Sequence, residues 1–279
     1  PGAAERASGG AGREEGGRPM TLVERNPFAP QAESIAIRID KLTKRFGRRG
    51  HETIALQNIS VDVAEGEFLC IVGRSGCGKS TLLNLIADLE SPSEGSIDLG
   101  TRRVGMMFQD ASLFPWLTVH GNIDLALKLS GFPRDGRNDR VDELLETVQL
   151  AGAGRKRPHE LSGGMRQRVA LARTLAQDCQ ILLMDEPFAA LDAITRDAMH
   201  EQTEHIWATR GLTIVFVTHN VREAARLADR VLVMMPSPGR IGAEAQIDIQ
   251  RSRRMEDIRV SGSAALLHDL LQGQESDNV

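Results

Sequence analysis

The sequence contains no tyrosine, few aromatic residues and only three cysteines. Aromatic residues make up 4% of its 279 residues. The cysteines Cys70, Cys77 and Cys179 are odd in number and do not have the spacing of metal ligands. This sparse use of cysteine excludes a disulfide scaffold and is typical of a protein in a reducing cytoplasm.

Long apolar runs and an excess of positive charge are also absent. No run reaches the roughly 18 apolar residues that a membrane-spanning helix needs, and no signal peptide is recognisable. We therefore expect the chain neither to cross a membrane nor to be exported by itself, so that any membrane role requires a partner. The formal net charge of −4 argues against nucleic acid as a partner, because proteins that hold phosphate backbones usually have a basic face.

The remaining composition indicates a globular protein with two less regular ends. A hydrophobic content of 41% is sufficient for one large domain or two small ones. Residues 1–33 are rich in Gly, Ala, Arg, Glu and Pro without apolar periodicity, and we predict a disordered tail there. Residues from about 250 to 279 are polar, with a short "AALLHDLL" helix, and their sequence indicates no role.

Apolar patterns between these ends predict alternating strands and helices. Strands are predicted at 34–40, 53–63, 68–73, 103–109, 180–185, 213–218 and 230–235. Helices are predicted at 79–90, 118–130, 138–150, 164–177, 193–209 and 220–228. The alternation predicts an α/β fold with a largely parallel sheet, and the helices between about 112 and 177 predict an inserted helical subdomain.

A phosphate-binding loop follows the third predicted strand. The stretch "GRSGCGKS" fits G-x-x-x-x-G-K-[ST] and lies between a strand and a helix, as phosphate binding requires. Backbone N–H groups would surround the phosphates, Lys79 would reach the β- and γ-phosphates, and Ser80 would bind Mg²⁺. The nucleotide-binding residues predicted here are Gly73, Arg74, Ser75, Gly76, Cys77, Gly78, Lys79, Ser80 and Thr81.

Two interpretations of Cys77 are open. Neighbouring N–H groups, Lys79 and a helix N-terminus would stabilise a thiolate, so that Cys77 would react faster than Cys70 and Cys179. Alternatively, Cys77 is only a small side chain packed under the loop.

Polar residues end three further strands. In "ILLMDE" at 181–186, Asp185 would orient Mg²⁺ and Glu186 would polarise the attacking water. His219 closes "TIVFVTH" and would contact the γ-phosphate, although a lone histidine is more often structural. Gln109 ends "VGMMFQ", where it would bridge Mg²⁺ and water, but a strand-end glutamine alone carries little information.

A second candidate anion site lies in "LSGGMRQRVALARTLA" at 161–176. Ser162, Gly163 and Gly164 precede a predicted helix and would expose N–H groups at its N-terminus. An ordinary serine cap explains Ser162 but not the paired glycines. Two phosphate-binding helix N-termini would be redundant for one nucleotide in one chain. If two chains pack head to tail, each chain would complete the other's site.

These motifs resemble those of the nucleotide-binding subunits of ATP-binding-cassette (ABC) transporters, over about residues 35–245. The family's signature matches "LSGGM", its glutamine loop Gln109, its D-loop "ALD" at 190–192, and its switch histidine His219. The resemblance implies an ATPase domain over about 34–249, with a P-loop NTPase core, an antiparallel β subdomain and an inserted helical subdomain.

The resemblance also implies ATP and Mg²⁺ as cofactors and assigns residue roles. Glu186, His219 and Lys79 would be catalytic, and Ser80, Gln109 and Asp185 would bind Mg²⁺. The family usually stacks a tyrosine on adenine, and Phe46 in "TKRFG" would replace it with a π-face but no hydroxyl.

Three finer stretches resemble the nitrate, sulfonate and taurine importer subfamily. They are "LFPWLTV" at 113–119, "MDEPFAALDAITRD" at 184–197 and "PSPGRI" at 236–241. This resemblance implies a homodimer, or a pair with another cassette subunit, at the cytoplasmic face of the membrane. That dimer would drive separate transmembrane permease subunits, fed by a substrate-binding protein, with a small anion as cargo.

The segment after Gln109 is open to two interpretations. Phe114, Trp116 and Leu117 would form a groove for a permease helix together with the helical subdomain, or they would pack in the core. Two other functions are alternatives to transport. A cassette ATPase acting on DNA or ribosomes would need long coiled coils or tandem cassettes, and a regulatory module without turnover would be expected to lack Glu186 or His219.

Overall fold

A computed structural model of the protein describes residues 34–48 and 51–273. The predicted disordered tail, residues 1–33, lies outside the described residues. Strands β1 (Ile35–Arg48) and β2 (His51–Ala64) pair antiparallel, and β4 (Glu94–Asp98) pairs antiparallel with the other edge of β1. This three-stranded sheet is the antiparallel β subdomain.

A second sheet has six strands in the order β5-β6-β7-β3-β8-β9. Its strands are β3 (Phe68–Gly73), β5 (Val104–Met107), β6 (Ile181–Asp185), β7 (Thr213–Thr218), β8 (Arg230–Met235) and β9 (Arg240–Gln246). The first five strands in this order are parallel, and β9 is antiparallel to β8. Because β3 and β7 are buried along their whole length, the sheet is covered on both faces, as parallel sheets require.

Seven α-helices surround the sheets within the described ranges. They are α1 (Lys79–Ile86), α2 (Val119–Leu129), α3 (Arg137–Thr147), α4 (Gly163–Leu175), α5 (Ala193–Arg210), α6 (Val221–Leu227) and α7 (Ile258–Gly273). Helices α2, α3 and α4 lie in the chain segment that connects β5 to β6, and they pack on one another. Their apolar side chains join the core beside β3. The predicted fold class, including the inserted helical subdomain, is therefore confirmed.

Two strands of the structure are not predicted from the sequence, because they contain few apolar residues. The sequence does not predict β4, "EGSID", or β9, "RIGAEAQ", and both are largely exposed or half-buried. Each is a sheet edge, where backbone pairing with one neighbour is sufficient to define a strand. Helix α7 also begins at Ile258, earlier than the predicted "AALLHDLL" segment.

The C-terminal segment, residues 250–273, packs on α6. Arg253 is buried, and its guanidinium donates to the carbonyl oxygens of Ala225 and Ala228 at the end of α6, at 3.2 and 2.5 Å. Arg251 donates to the Leu227 carbonyl at 2.6 Å and stacks 4.2 Å from the Trp207 ring. Burial lowers the pKa of Arg253 to about 10. The two arginines thus satisfy carbonyls that the end of a helix leaves without partners.

The described residues also bear on the relation of the chain to a membrane. Within 34–48 and 51–273, none of the helices combines the length and apolar character that crossing a bilayer demands.

Candidate functional site

The phosphate loop runs from the end of β3 to the start of α1. Gly76 and Gly78 adopt positive φ angles of 80° and 95°, and Gly78 precedes the first helical residue, Lys79. A Cβ atom at Gly78 would lie 2.6 Å from Cδ2 of Leu56, so glycine meets both a conformational and a steric requirement there. The loop therefore presents the N-terminal N–H groups of α1 to the cleft.

Lys79 lies inside this loop. Its side chain is buried, and Nζ donates to the carbonyl oxygens of Gly73 and Arg74 at 2.8 and 3.1 Å. These bonds fix the ammonium charge at the loop, where an anionic phosphate would be attracted to it.

Cys77 does not carry the stabilised thiolate that one interpretation of the sequence predicts. Its side chain is completely buried, and Sγ lies close enough to Gly73 that a Cβ atom there would be 2.6 Å away. Burial raises the pKa of Cys77 more than the charge of Lys79 lowers it. The structure therefore favours the alternative of a small side chain packed under the loop, and the expectation that Cys77 reacts faster than Cys70 and Cys179 stays a prediction.

Asp185 ends β6 beside the phosphate loop. Burial raises its pKa, while a hydrogen bond with the Ser80 side chain and the charge of Lys79 oppose the rise. The Ser80 hydroxyl and the Asp185 carboxylate are thus adjacent. Hydroxyl and carboxylate oxygens are the ligands that Mg²⁺ prefers, so this pair fits a magnesium ion.

Glu186 and His219 come together from the ends of neighbouring strands β6 and β7. Glu186 has a φ of 42°, and its N–H donates to the Val217 carbonyl at 3.0 Å. Its Oε2 atom lies 2.8 Å from Nδ1 of His219. The structure therefore joins two residues that the sequence analysis assigns separately to catalysis, one half-buried and the other exposed.

A cleft of about 740 Å³ lies at the phosphate loop and Glu186, and neither Asp185 nor His219 is among its lining residues. Among the residues that line it, those that the sequence predicts as site residues are Ser75, Gly76, Gly78, Lys79, Ser80, Thr81 and Glu186. It also contains two groups that the sequence does not predict as site residues, Thr53–Ala55 on β2 and Ser237–Gly239 between β8 and β9. The "PSPGRI" stretch was noted for its family resemblance, but nothing in it indicated contact with the loop.

Gly239 explains how these two groups meet. Its N–H donates to the Ala55 carbonyl at 3.0 Å, and its carbonyl accepts from the Gln57 N–H at 2.9 Å. A Cβ atom at Gly239 would lie 2.4 Å from the Cys77 carbonyl oxygen. Only a glycine lets the backbone approach the phosphate loop so closely.

Phe46 and Gln109 lie outside the lining of the cleft. Phe46 is 42% exposed and pairs across the sheet with Thr53, which does line the cleft. Its ring centroid lies 4.8 Å from Nζ of Lys44. The Gln109 side chain is exposed, and its backbone carbonyl accepts from Nε2 of Gln167 at 2.8 Å. Adenine stacking by Phe46 and Mg²⁺ binding by Gln109 stay predictions.

Ser162, Gly163 and Gly164 form the start of α4. The Ser162 hydroxyl accepts from the Met165 N–H at 3.2 Å, and a Cβ atom at Gly164 would lie 2.3 Å from Cγ2 of Thr195. The N-termini of α4 and α5 are therefore neighbours. The three signature residues are not among the residues that line the cleft.

Comparisons with known proteins agree with this geometry. Residues 56–189 match the family described as ABC transporter. The nitrate import ATP-binding protein of Synechocystis sp. is 46% identical over 221 residues, which are 76% of this chain and 83% of that protein. The aliphatic sulfonates import ATP-binding protein of Bacillus licheniformis is 43% identical over 225 residues, which are 77% of this chain and 86% of that protein.

A longer relative and a solved structure are also similar to this chain. The chain spans 36% of the length of a bicarbonate transport ATP-binding protein of Synechococcus elongatus. A dimeric ATP-binding cassette in a post-hydrolysis state, bound to ADP and Pi, has a TM-score of 0.67 and 31% identity, covering 76% of this chain and 99% of that one. By its fold, its phosphate loop and these relatives, this chain belongs to the ABC transporter family as an ATP-hydrolysing, ATP-binding subunit.

Proposed function

We propose that this subunit works as a head-to-tail dimer at the cytoplasmic face of a membrane and drives the import of a small anion through separate permease subunits. The observation that supports the dimer arrangement is that the signature residues are not among those that line the cleft of their own chain. The cleft is lined by the phosphate loop and Glu186, whereas Ser162–Gly164 lie outside it. A second chain would bring its own Ser162–Gly164 to the γ-phosphate.

The hydrolysis step is assigned to Glu186 and His219. An ionised Glu186 accepts the hydrogen on Nδ1 of His219, which leaves Nε2 of the imidazole to face the γ-phosphate. The same carboxylate accepts a hydrogen bond from the attacking water and aligns it, which is the main contribution that a protein makes to phosphoryl transfer. Lys79 holds the β- and γ-phosphates.

Ser80 and Asp185 are assigned to the magnesium site, with Gln109, in the segment after the neighbouring strand β5, as a further ligand. When bound, Mg²⁺ would neutralise charge that develops between the β- and γ-phosphates. The contact between Ser80 and Asp185 supports their assignment. Phe46 is assigned to the adenine because its exposed ring is beside the cleft.

A groove of about 630 Å³ on the helical subdomain is assigned to the permease. Its apolar lining residues include Phe108, Phe114, Leu125 and Leu129. Trp116 is 68% exposed and its ring centroid is 5.4 Å from that of Phe114, itself 37% exposed. Since core packing does not account for rings this exposed, we assign Phe114, Trp116 and the half-buried Leu117 to a surface for a permease helix.

The cargo class rests on the relatives alone. Two of them are named for nitrate and for aliphatic sulfonates, which are small anions. An importer of this kind also implies a substrate-binding protein that delivers the anion to the permease. The anion itself would be recognised by these partners, so this chain supplies energy and does not select the cargo.

Uptake by cells tests this proposal. A strain lacking the chain would be complemented with the wild type or with Glu186→Gln, and uptake of labelled nitrate, taurine and an alkanesulfonate would be measured. We expect the wild type, and not the variant, to restore uptake of one of these anions. Equal complementation by the variant would contradict the assignment of Glu186, and restored uptake of none of the three would contradict the cargo class.

A further inference from the structure

A buried carboxylate holds the backbone beside the switch histidine. Thr218 precedes His219, and its Oγ1 donates to Oε2 of Glu223 at 2.5 Å. The same hydroxyl accepts from the Asn220 N–H at 3.0 Å. Both Thr218 and Glu223 are almost completely buried. Thr218 is thus fixed directly to one oxygen of Glu223, near the start of α6, and Asn220 is held indirectly through the Thr218 hydroxyl.

The other oxygen of Glu223 faces α5. Oε1 lies 3.5 Å from Nε of Arg196. Arg196 in turn donates to the carbonyl oxygens of Leu191 at 2.6 Å and Phe188 at 3.3 Å. Both carbonyls belong to the turn that runs from Glu186 to the start of α5. A chain of polar contacts therefore joins this turn to the histidine loop through Arg196 and Glu223.

His200 completes the surroundings of Glu223. Its Nδ1 lies 3.3 Å from Nη1 of Arg226, and because a guanidinium only donates, Nδ1 is the acceptor. The hydrogen is then on Nε2, which lies 3.5 Å from Oε1 of Glu223. The buried imidazole packs edge-on against Phe188, with ring centroids 5.6 Å apart. The ring fills the space between α5, α6 and the turn after Glu186.

We propose that Glu223 is a positioning residue for ATP hydrolysis, which couples the turn at 186–192 to the switch-histidine loop through Arg196. A displacement of this turn moves the two carbonyls that hold Arg196, and Glu223 transmits the shift to Thr218 and so to His219. Burial opposes the ionised form of Glu223, but the neighbouring His200, the hydrogen bond from the Thr218 hydroxyl and the charge of Arg196 outweigh it and lower its pKa. The carboxylate is therefore a charged link that an apolar or neutral side chain would not replace.

This inference rests on the roles proposed for Glu186 and His219, and the test separates the two. Glu223→Gln keeps the shape and the contact with Thr218 but removes the charge that faces Arg196. We expect kcat for ATP to fall roughly 10- to 100-fold, the range for a small misplacement of a reacting group, while KM changes less than about twofold. Glu201→Gln is the matched control, because Glu201 on α5 is a highly exposed acid 3.8 Å from Arg226, and it should keep the wild-type kcat.

Two further variants guard against misfolding and a purely structural effect. Thr218→Val removes only the hydroxyl and should reproduce the loss of kcat. Arg196→Lys should also lower kcat, and the double variant Glu223→Gln/Arg196→Lys should be no worse than the more damaged single variant, because both changes break one chain of contacts.

The outcomes are distinct. A Glu223→Gln protein that unfolds at a lower temperature but retains kcat overturns the inference, as do independent, multiplying losses in the double variant. If Glu223→Gln does not fold, a wild-type kcat in Thr218→Val overturns it. Glu186→Gln serves as the reference throughout. Full turnover in that variant contradicts the proposed function, whereas loss there with full turnover in Glu223→Gln contradicts only the coupling.

Discussion

The Glu186 carboxylate lies 2.8 Å from the imidazole Nδ1 of His219, although the two residues end different strands. Strands β6 and β7 are parallel neighbours, so their carboxyl ends reach the same edge of the sheet. The pair therefore shares one hydrogen bond at the edge of the sheet where the phosphate loop also begins.

Glu186→Gln preserves the size of the side chain and removes its basic carboxylate. We expect turnover of ATP to fall by roughly two powers of ten or more, because the attacking water is no longer aligned and polarised. Binding of ATP should persist, and the variant should accumulate as an ATP-bound dimer. Turnover and size-exclusion chromatography with Mg²⁺ and ATP measure both effects, and near-wild-type turnover would contradict the role of Glu186.

Mixing two inactive variants tests the shared site. Lys79→Ala damages the phosphate loop, and Ser162→Arg damages the signature end of α4. A mixed dimer would have one composite site intact at both faces and one damaged at both. Partial ATPase activity should therefore return on mixing. Mixed dimers that form, as shown by differently tagged chains, but remain inactive would count against independent head-to-tail sites.

Cys77 should be slow to react in the folded protein. Its thiol is buried and its pKa is raised, so both access and the thiolate fraction are low. We expect maleimide to label it fully only after denaturation, with Cys70 and Cys179, also buried, as internal references. Peptide mapping follows each site. Rapid labelling of native Cys77, with protection by Mg²⁺ and ATP, would show that the thiol is reachable after all.

Arg253→Met should destabilise the fold by about 2 to 4 kcal/mol, because it leaves buried carbonyl oxygens without a donor. The neighbouring Arg254→Met is the control, since Arg254 is exposed. Urea unfolding of both variants measures their free energies of unfolding. Equal stability of Arg253→Met and Arg254→Met would mean that the contacts of Arg253 with α6 contribute little.

The sequence predicts the parts of the site that depend on local pattern. The phosphate loop needs glycines at fixed offsets after a buried strand, and Asp185 and Glu186 end an apolar run, so each is recognisable along the chain. Ser237–Gly239 were missed as lining residues because their position depends on the pairing of β8 with β9. The sequence leaves the state of Cys77 open because the charge of Lys79 is visible in it and the packing over the thiol is not.

The contact of Gly239 with the phosphate loop bears on the order in which the protein is made. The loop emerges from the ribosome early, yet β7 and β8, which flank β3, and the turn that carries Gly239 are synthesised much later. A nascent chain that stops before β8 holds the complete nucleotide motif but lacks one neighbour of β3 and one wall of the cleft. A nucleotide cleft lined on all sides therefore exists only after Gly239 has been synthesised.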